Sequence, residues 1–223
     1  MVQPVQVCRD VFMVGGSAIS HSYDCAVYLI NAGDLVLIDT GAGLSFDTII
    51  SNIKALDFDP KNIKAVIVTH AHIDHIGSLC MFKETYGMQV IAHEMDTVSI
   101  EEGINTGAAA YGVEYRPCTV DLKITEPQAT LSFNKYELVL VHISGHTPGS
   151  IAIYLDIEGS RVLFGQDIHG PYVPEWGAER DKAKQSLQKL IDLNADILCE
   201  GHFGVYTPAD KVKQYISTYL HSL

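Results

Sequence analysis

In the stretch Val66-Ile67-Val68-Thr69-His70-Ala71-His72-Ile73-Asp74-His75-Ile76-Gly77, a short apolar run ends in three imidazoles and one carboxylate within six residues. Ala65 to Val68 reads as a buried strand. If the backbone stays extended through His72, then His70 and His72 project to one side, because strand side chains alternate with period two. Asp74 and His75 then fall where the chain bends into a helix, near the same point in space. Neutral imidazole and carboxylate are donor types that suit zinc, iron or manganese. The competing reading is a histidine-rich loop without metal, and four donors at this spacing argue against it.

Three later stretches share one design, an apolar strand that ends in glycine beside a metal-binding residue type. Val139 to Ser144 leads into Gly145-His146-Thr147-Pro148-Gly149, Val162 to Phe164 into Gly165-Gln166-Asp167, and Ile197 to Glu200 into Gly201-His202. Alone, each is read as well by a capping aspartate or a turn histidine. Together with the first stretch they supply His70, His72, His75, His146 and His202 with Asp74 and Asp167, the donors that a two-metal site requires.

The rest of the chain limits what such a site serves. A length of 223 residues suits one α/β domain spanning 1–223, and 47% apolar with 19% charged residues is a globular composition. No apolar run reaches the roughly 18 residues of a membrane span, and the N-terminus lacks the basic-then-apolar pattern of a signal peptide. A net charge of −12, with no local cluster of Lys and Arg, argues against nucleic acid as a partner, and a small-molecule substrate is expected instead. Cys8, Cys25, Cys80, Cys118 and Cys199 form no C-x-x-C pair and read as reduced thiols of a cytoplasmic protein.

In order along the chain, strands are expected at 5–14, 25–31 and 35–38, a helix at 45–56, the strand of the first motif, a helix at 74–86, a strand at 90–92 and a helix at 93–101. Between the first two strands lies a long loop, 15–24, whose His21 and Tyr23 are candidates for a site mouth. The weakly patterned segment 102–125 is a candidate lid. Strands follow near 130–133, 136–143, 151–156 and 161–165, then a helix at 178–192, a strand at 196–199 and a final helix at 208–220. The final helix packs on its own sheet or, as a homodimer, on a second subunit; its own sheet is the simpler expectation. Strands followed by helices in both halves point to two mixed sheets facing each other with helices outside.

The chain resembles the metallo-β-lactamase superfamily, in the hydrolase branch that includes glyoxalase II and lactonases. The motifs that carry the resemblance are Asp39-Thr40-Gly41, the His-x-His-x-Asp-His stretch at 70–75, Gly145-His146-Thr147-Pro148-Gly149, Gly165-Gln166-Asp167 and Gly201-His202. It implies an αββα sandwich with the metals at one edge between the sheets. It also implies two divalent ions, zinc first and iron or manganese as alternatives. His70, His72 and His146 would hold one ion, Asp74, His75 and His202 the other, and Asp167 both. Asp39 is expected behind the ligands, orienting a histidine.

The resemblance further implies a hydrolase that attacks with a hydroxide shared by the two metals. Asp74 is expected to pass a proton to the leaving group, and His169 and Tyr172 are candidates to polarise or orient the substrate; bracing the Gly170-Pro171 turn is their alternative role. Departures from known branches narrow the substrate. Zinc β-lactamases carry a cysteine or serine in the metal shell, and glyoxalase II carries a Gly-x-Gly-Arg-x-Asp pattern that is absent after Asp167. The expected substrate is a small ester, thioester or lactone. Alternatives are a non-haem iron oxygenase or oxidoreductase acting on a thiol or persulfide, and a weak, promiscuous β-lactamase.

Overall fold

The computed structural model describes residues 3–223. The strand expected over 5–14 is two strands, β1 (Val5–Cys8) and β2 (Val11–Gly15), because the chain turns at Asp10, where φ is 61°. There follow β3 (Val27–Ala32), β4 (Asp34–Ile38), α1 (Phe46–Ala55), β5 (Ile63–Ile67), α2 (Ile73–Ile76), α3 (Leu79–Tyr86), β6 (Gln89–His93) and α4 (Glu94–Glu102). The segment expected to lack pattern contains α5 (Ala108–Tyr111) and β7 (Leu122–Ile124). The second half runs β8 (Gln128–Ser132), β9 (Glu137–His142), β10 (Ile151–Ile157), β11 (Ser160–Gln166), α6 (Arg180–Asp192), β12 (Ile197–Glu200), β13 (Val205–Tyr206) and α7 (Ala209–Ser222).

The strands form two mixed sheets. One has the order β1-β2-β3-β4-β5-β6-β7, the other β13-β12-β11-β10-β9-β8. Alternation along each strand divides the apolar residues into three cores. In β3, Val27 and Leu29 face helices α1, α3 and α4 through Ile49, Ile53, Phe82 and Ile100, while Tyr28 and Ile30 face the other sheet. In β10, Ile151, Ile153 and Leu155 fill the space between the sheets, and Ala152 faces α6 and α7 with Leu187, Leu190, Val212 and Ile216. The layers are therefore helix, sheet, sheet, helix, as expected, and α7 covers its own sheet. Among the described residues, no helix is long and apolar enough to cross a membrane.

The single helix expected over 74–86 is interrupted. The His75 carbonyl, which a continuous helix would give to the amide four residues on, instead accepts from the Thr40 amide at 2.8 Å and the Thr40 hydroxyl at 2.9 Å. This diverts the chain after α2 and ties the first motif to the Asp39-Thr40-Gly41 turn. Gly77 lies directly on the backbone of Ala42 and Gly43, where a Cβ would overlap main-chain atoms. Gly77→Ala is expected to cost at least about 2 kcal/mol through backbone displacement, seen as a fall in Tm of roughly 4–8 °C by calorimetry.

Candidate metal centre

The candidate site lies along one edge of the sandwich, where the strands stop. Past β5, Val68 still bonds to Ile91 at 2.9 Å, and the chain then leaves the sheet with Thr69 and His70. Past β11, Gln166 takes a φ of 51° and turns Asp167 out of the strand. Past β12, Gly201 passes so close that a Cβ would strike the Asp167 carboxylate. Three bonds hold the edges of the two sheets together here: Ile151 N to Thr69 O at 2.9 Å, Ala26 N to Gly201 O at 2.6 Å, and Tyr28 Oη to Glu200 O at 2.9 Å.

The seven residues expected from the sequence converge. Donor atoms of His70, His72, His146 and Asp167 lie within 4.8 Å of one another, as do those of Asp74, His75, Asp167 and His202. Asp167 belongs to both groups. Its Oδ2 is 3.4 Å from His146 Nε2 and 3.3 Å from His202 Nε2, and its Oδ1 is 3.3 Å from His75 Nε2. Donors about 2.0–2.1 Å from a shared tetrahedral ion stand about 3.3 Å from each other, so this spacing suits a metal. The hydrogen-bond inventory agrees. His72 Nε2, His75 Nε2, both ring nitrogens of His146 and Asp167 Oδ1 are buried without a hydrogen-bond partner, a costly state for polar atoms unless an ion engages them.

Electrostatics separate the two groups. Burial, with the imidazoles of His75, His146 and His72, holds His70 well below the ordinary histidine range, and burial with His146 pushes His72 down to about 3. These are neutral donors. Burial also opposes charge on His202, but Asp167 and Asp74 outweigh it and lift this histidine to about 10. At His75 burial is likewise outweighed, by Cys25 and the carboxylates of Asp167, Asp39 and Asp74, and the group is raised. Burial disfavours the Asp167 anion, yet His75 and His202 hold it well below the carboxylate range. His75 and His202 are thus drawn towards protonation by the aspartates they face, and a cation bound there would compete with those protons.

Asp39 stands behind the donors, as expected. Buried, it accepts from Thr69 N at 2.8 Å and Thr69 Oγ1 at 2.7 Å, and its Oδ2 is 2.8 Å from His75 Nδ1, which leaves His75 Nε2 for the site. Two further buried carboxylates escape a reading of the sequence. Asp96 accepts from Ala71 N at 3.0 Å, Thr147 Oγ1 at 2.7 Å and Gly149 N at 2.7 Å, joining the loop of His70 and His72 to the loop of His146. Glu200 accepts from His202 N at 2.6 Å and Phe203 N at 2.8 Å, and its Oε1 is 2.8 Å from His169 Nδ1. Glu200 was the more visible of the two, as a charge at the end of an apolar strand. Asp96 looks like any acidic residue in the first turn of a helix.

Above the donors opens a cavity of about 380 Å³, lined by His72, Asp74, Asp167 and His202 and walled by Tyr111, His169, Trp176 and Phe203. His169 therefore reaches the cavity. Tyr172 does not line it: its hydroxyl donates to Ile168 O at 2.9 Å, the bracing role also considered. The phenol on the wall is Tyr111, from the segment read as a candidate lid. Tyr23 sits edge-on behind it at 5.6 Å between ring centroids, with His21 against Tyr23 at 5.2 Å.

A family model described as metallo-beta-lactamase superfamily matches residues 23–202. Curated relatives include the hydroxyacylglutathione hydrolase GloC of Haemophilus influenzae, 24% identical over 86% of this chain and 90% of that protein. A probable metallo-hydrolase of Methanocaldococcus jannaschii is 25% identical over 82% of this chain and 89% of its own length. Among solved structures, the metallo-beta-lactamase GOB-18 from Elizabethkingia meningoseptica superposes with a TM-score of 0.79 at 26% identity, covering 100% of this chain and 89% of that one. A Cronobacter sakazakii metallo-beta-lactamase gives 0.84 at 19% identity, over 99% and 92%.

Asp39→Asn replaces a charged acceptor by an amide that can present its NH2 group to His75. Metal affinity, measured by competition with a chromophoric chelator, is expected to fall roughly 10–100-fold while the fold persists. Unchanged affinity would mean that His75 needs no such support.

Proposed function

Since the chain belongs to the metallo-β-lactamase superfamily, we propose that it is a metal-dependent hydrolase of a small ester, thioester or lactone. The observation that carries this reading is the pair of donor groups sharing Asp167 at the base of a cavity sized for a small acyl compound. His70, His72 and His146 would hold one divalent ion, Asp74, His75 and His202 a second, and Asp167 both, with zinc the first expectation from the donor types and iron or manganese the alternatives. Such ions, when bound, bring the pKa of water towards neutrality and polarise an acyl oxygen.

The side chains do the remainder. Asp39, Asp96 and Glu200 hold the donor loops in register, so little reorganisation is needed when substrate arrives. Asp74 lies on the cavity wall and is the carboxylate assigned to pass a proton to the leaving group. His169, held through Nδ1 by Glu200, lines the cavity and is the imidazole assigned to orient the substrate. The aromatic walls present apolar surface to the acyl group beside the donors. A hydroxyacylglutathione hydrolase among the relatives supports the thioester end of the substrate range.

Elemental analysis of purified protein is expected to find about two ions per chain, with chelator-sensitive turnover of thioesters or lactones. Asp167→Ala should cut kcat/KM by more than the roughly 100-fold upper bound for an outer-shell change. Wild-type rates in that variant would remove Asp167 from the mechanism. One iron per chain with no hydrolysis would instead favour oxidative chemistry on a thiol.

A further inference from the structure

The cavity wall also bears on which acyl compound is taken. Beyond the donor cluster it consists of Tyr111, Pro171, Trp176 and Phe203, with the imidazole of His169 and small neutral groups between them. Among the described residues no lysine or arginine lines it. Basic side chains are spent elsewhere, as in Arg116 with Glu84, Lys123 with Glu101 and Arg161 with Asp156. The whole chain carries a net −12, so its surface holds no excess of positive charge to stand in for a basic wall.

The apolar surface continues past the cavity. Trp176, edge-on to His72 with ring centroids 5.3 Å apart, also borders a second cavity of about 200 Å³, where Met95, Val98, Ile104 and Pro148 stand among Asp96, Ser99 and Asn105. Met95, Val98 and Ile104 are 50%, 51% and 47% exposed and line one cavity, so together they offer apolar area to a ligand. An acyl chain leaving the donor cluster alongside Trp176 would meet this surface and be removed from water there.

Resting on the hydrolase reading above, we infer that the substrate is an uncharged ester, thioester or lactone with an apolar acyl group, and that acyl-glutathione is a poor substrate. A glutathione thioester carries two carboxylates and one ammonium away from its reacting carbon. Those carboxylates need cationic partners on the wall to replace their hydration, and the wall presents only aromatic and neutral polar groups.

The test uses two non-hydrolysable thioethers on the metal-loaded full chain, S-hexyl-N-acetylcysteamine and S-hexylglutathione, with binding measured by titration calorimetry. The neutral ether should bind at least about tenfold more tightly. A glutathione conjugate that binds as well, or a neutral ether that does not bind, overturns the inference. Phe203→Lys, at an exposed rim position, should narrow the gap at least about threefold by supplying the missing cation; a gap that it leaves unmoved also counts against cavity-based selection. Turnover of the corresponding S-hexanoyl thioesters is followed separately. Metal-dependent hydrolysis that favours the glutathione thioester sinks only this inference, whereas no hydrolysis of either thioester, of a hexyl-chain lactone or of a hexanoate ester sinks the hydrolase reading itself.

Discussion

Asp167 is the point on which the structure turns. One carboxylate, almost wholly removed from water, stands within 3.4 Å of a nitrogen of His75, His146 and His202. Burying an anion with the imidazoles of His70, His72, His75 and His146, beside a half-buried His202, is unfavourable unless opposite charge is supplied and the polar atoms find partners. The aspartates draw His75 and His202 towards protonation, and several buried donor atoms have no hydrogen-bond partner, a combination that a bound cation would answer. Stability of the edge and affinity for cations are therefore two expressions of one electrostatic problem. The three apolar cores carry the folding free energy that allows an edge of this kind to exist.

Around Asp167 a second set of carboxylates does mechanical work. Asp39, Asp96 and Glu200 are each buried, and each ties backbone or side-chain donors of one donor loop to another part of the edge. Asp96 is the most consequential, because its bonds span the first sheet's loop after β5 and the second sheet's loop after β9. Through it, the relative placement of the two halves of the sandwich is transmitted to the distance between His72 and His146. Glu200 performs the same service for His202 and His169 from a fully buried position. The same edge carries hydrogen bonds between the sheets, so the donor cluster and the sheet-to-sheet packing are set together.

The layer order and the donor set were legible in the sequence because both follow from local rules. Period-two alternation in stretches such as Val27 to Ile30 places successive residues in different cores, and strand ends marked by glycine beside His or Asp identify the edge. Where the local rules failed, a distant contact had intervened. The helix over 74–86 is broken because Thr40 takes the His75 carbonyl, a distant contact of which only Gly77-Ser78 gives a local sign. Tyr172 stands close to Asp167 in sequence, yet its hydroxyl is consumed by Ile168, while Tyr111, from an unpatterned segment, reaches the cavity.

The sequence alone therefore determined the kinds of group available, imidazole and carboxylate at the ends of buried strands, and two facing sheets with helices outside, while the gathering of those groups at one edge came from the family resemblance. It did so because side-chain chemistry and strand periodicity are properties of neighbouring residues. Only the tertiary structure decided which carboxylates brace the donors, which aromatic rings wall the cavity, and that no basic side chain among the described residues shares that wall. These depend on loops from both sheets meeting in space, and the positions of residues as far apart as Ala71, Asp96 and Thr147 are fixed by hydrogen bonds that no local pattern encodes.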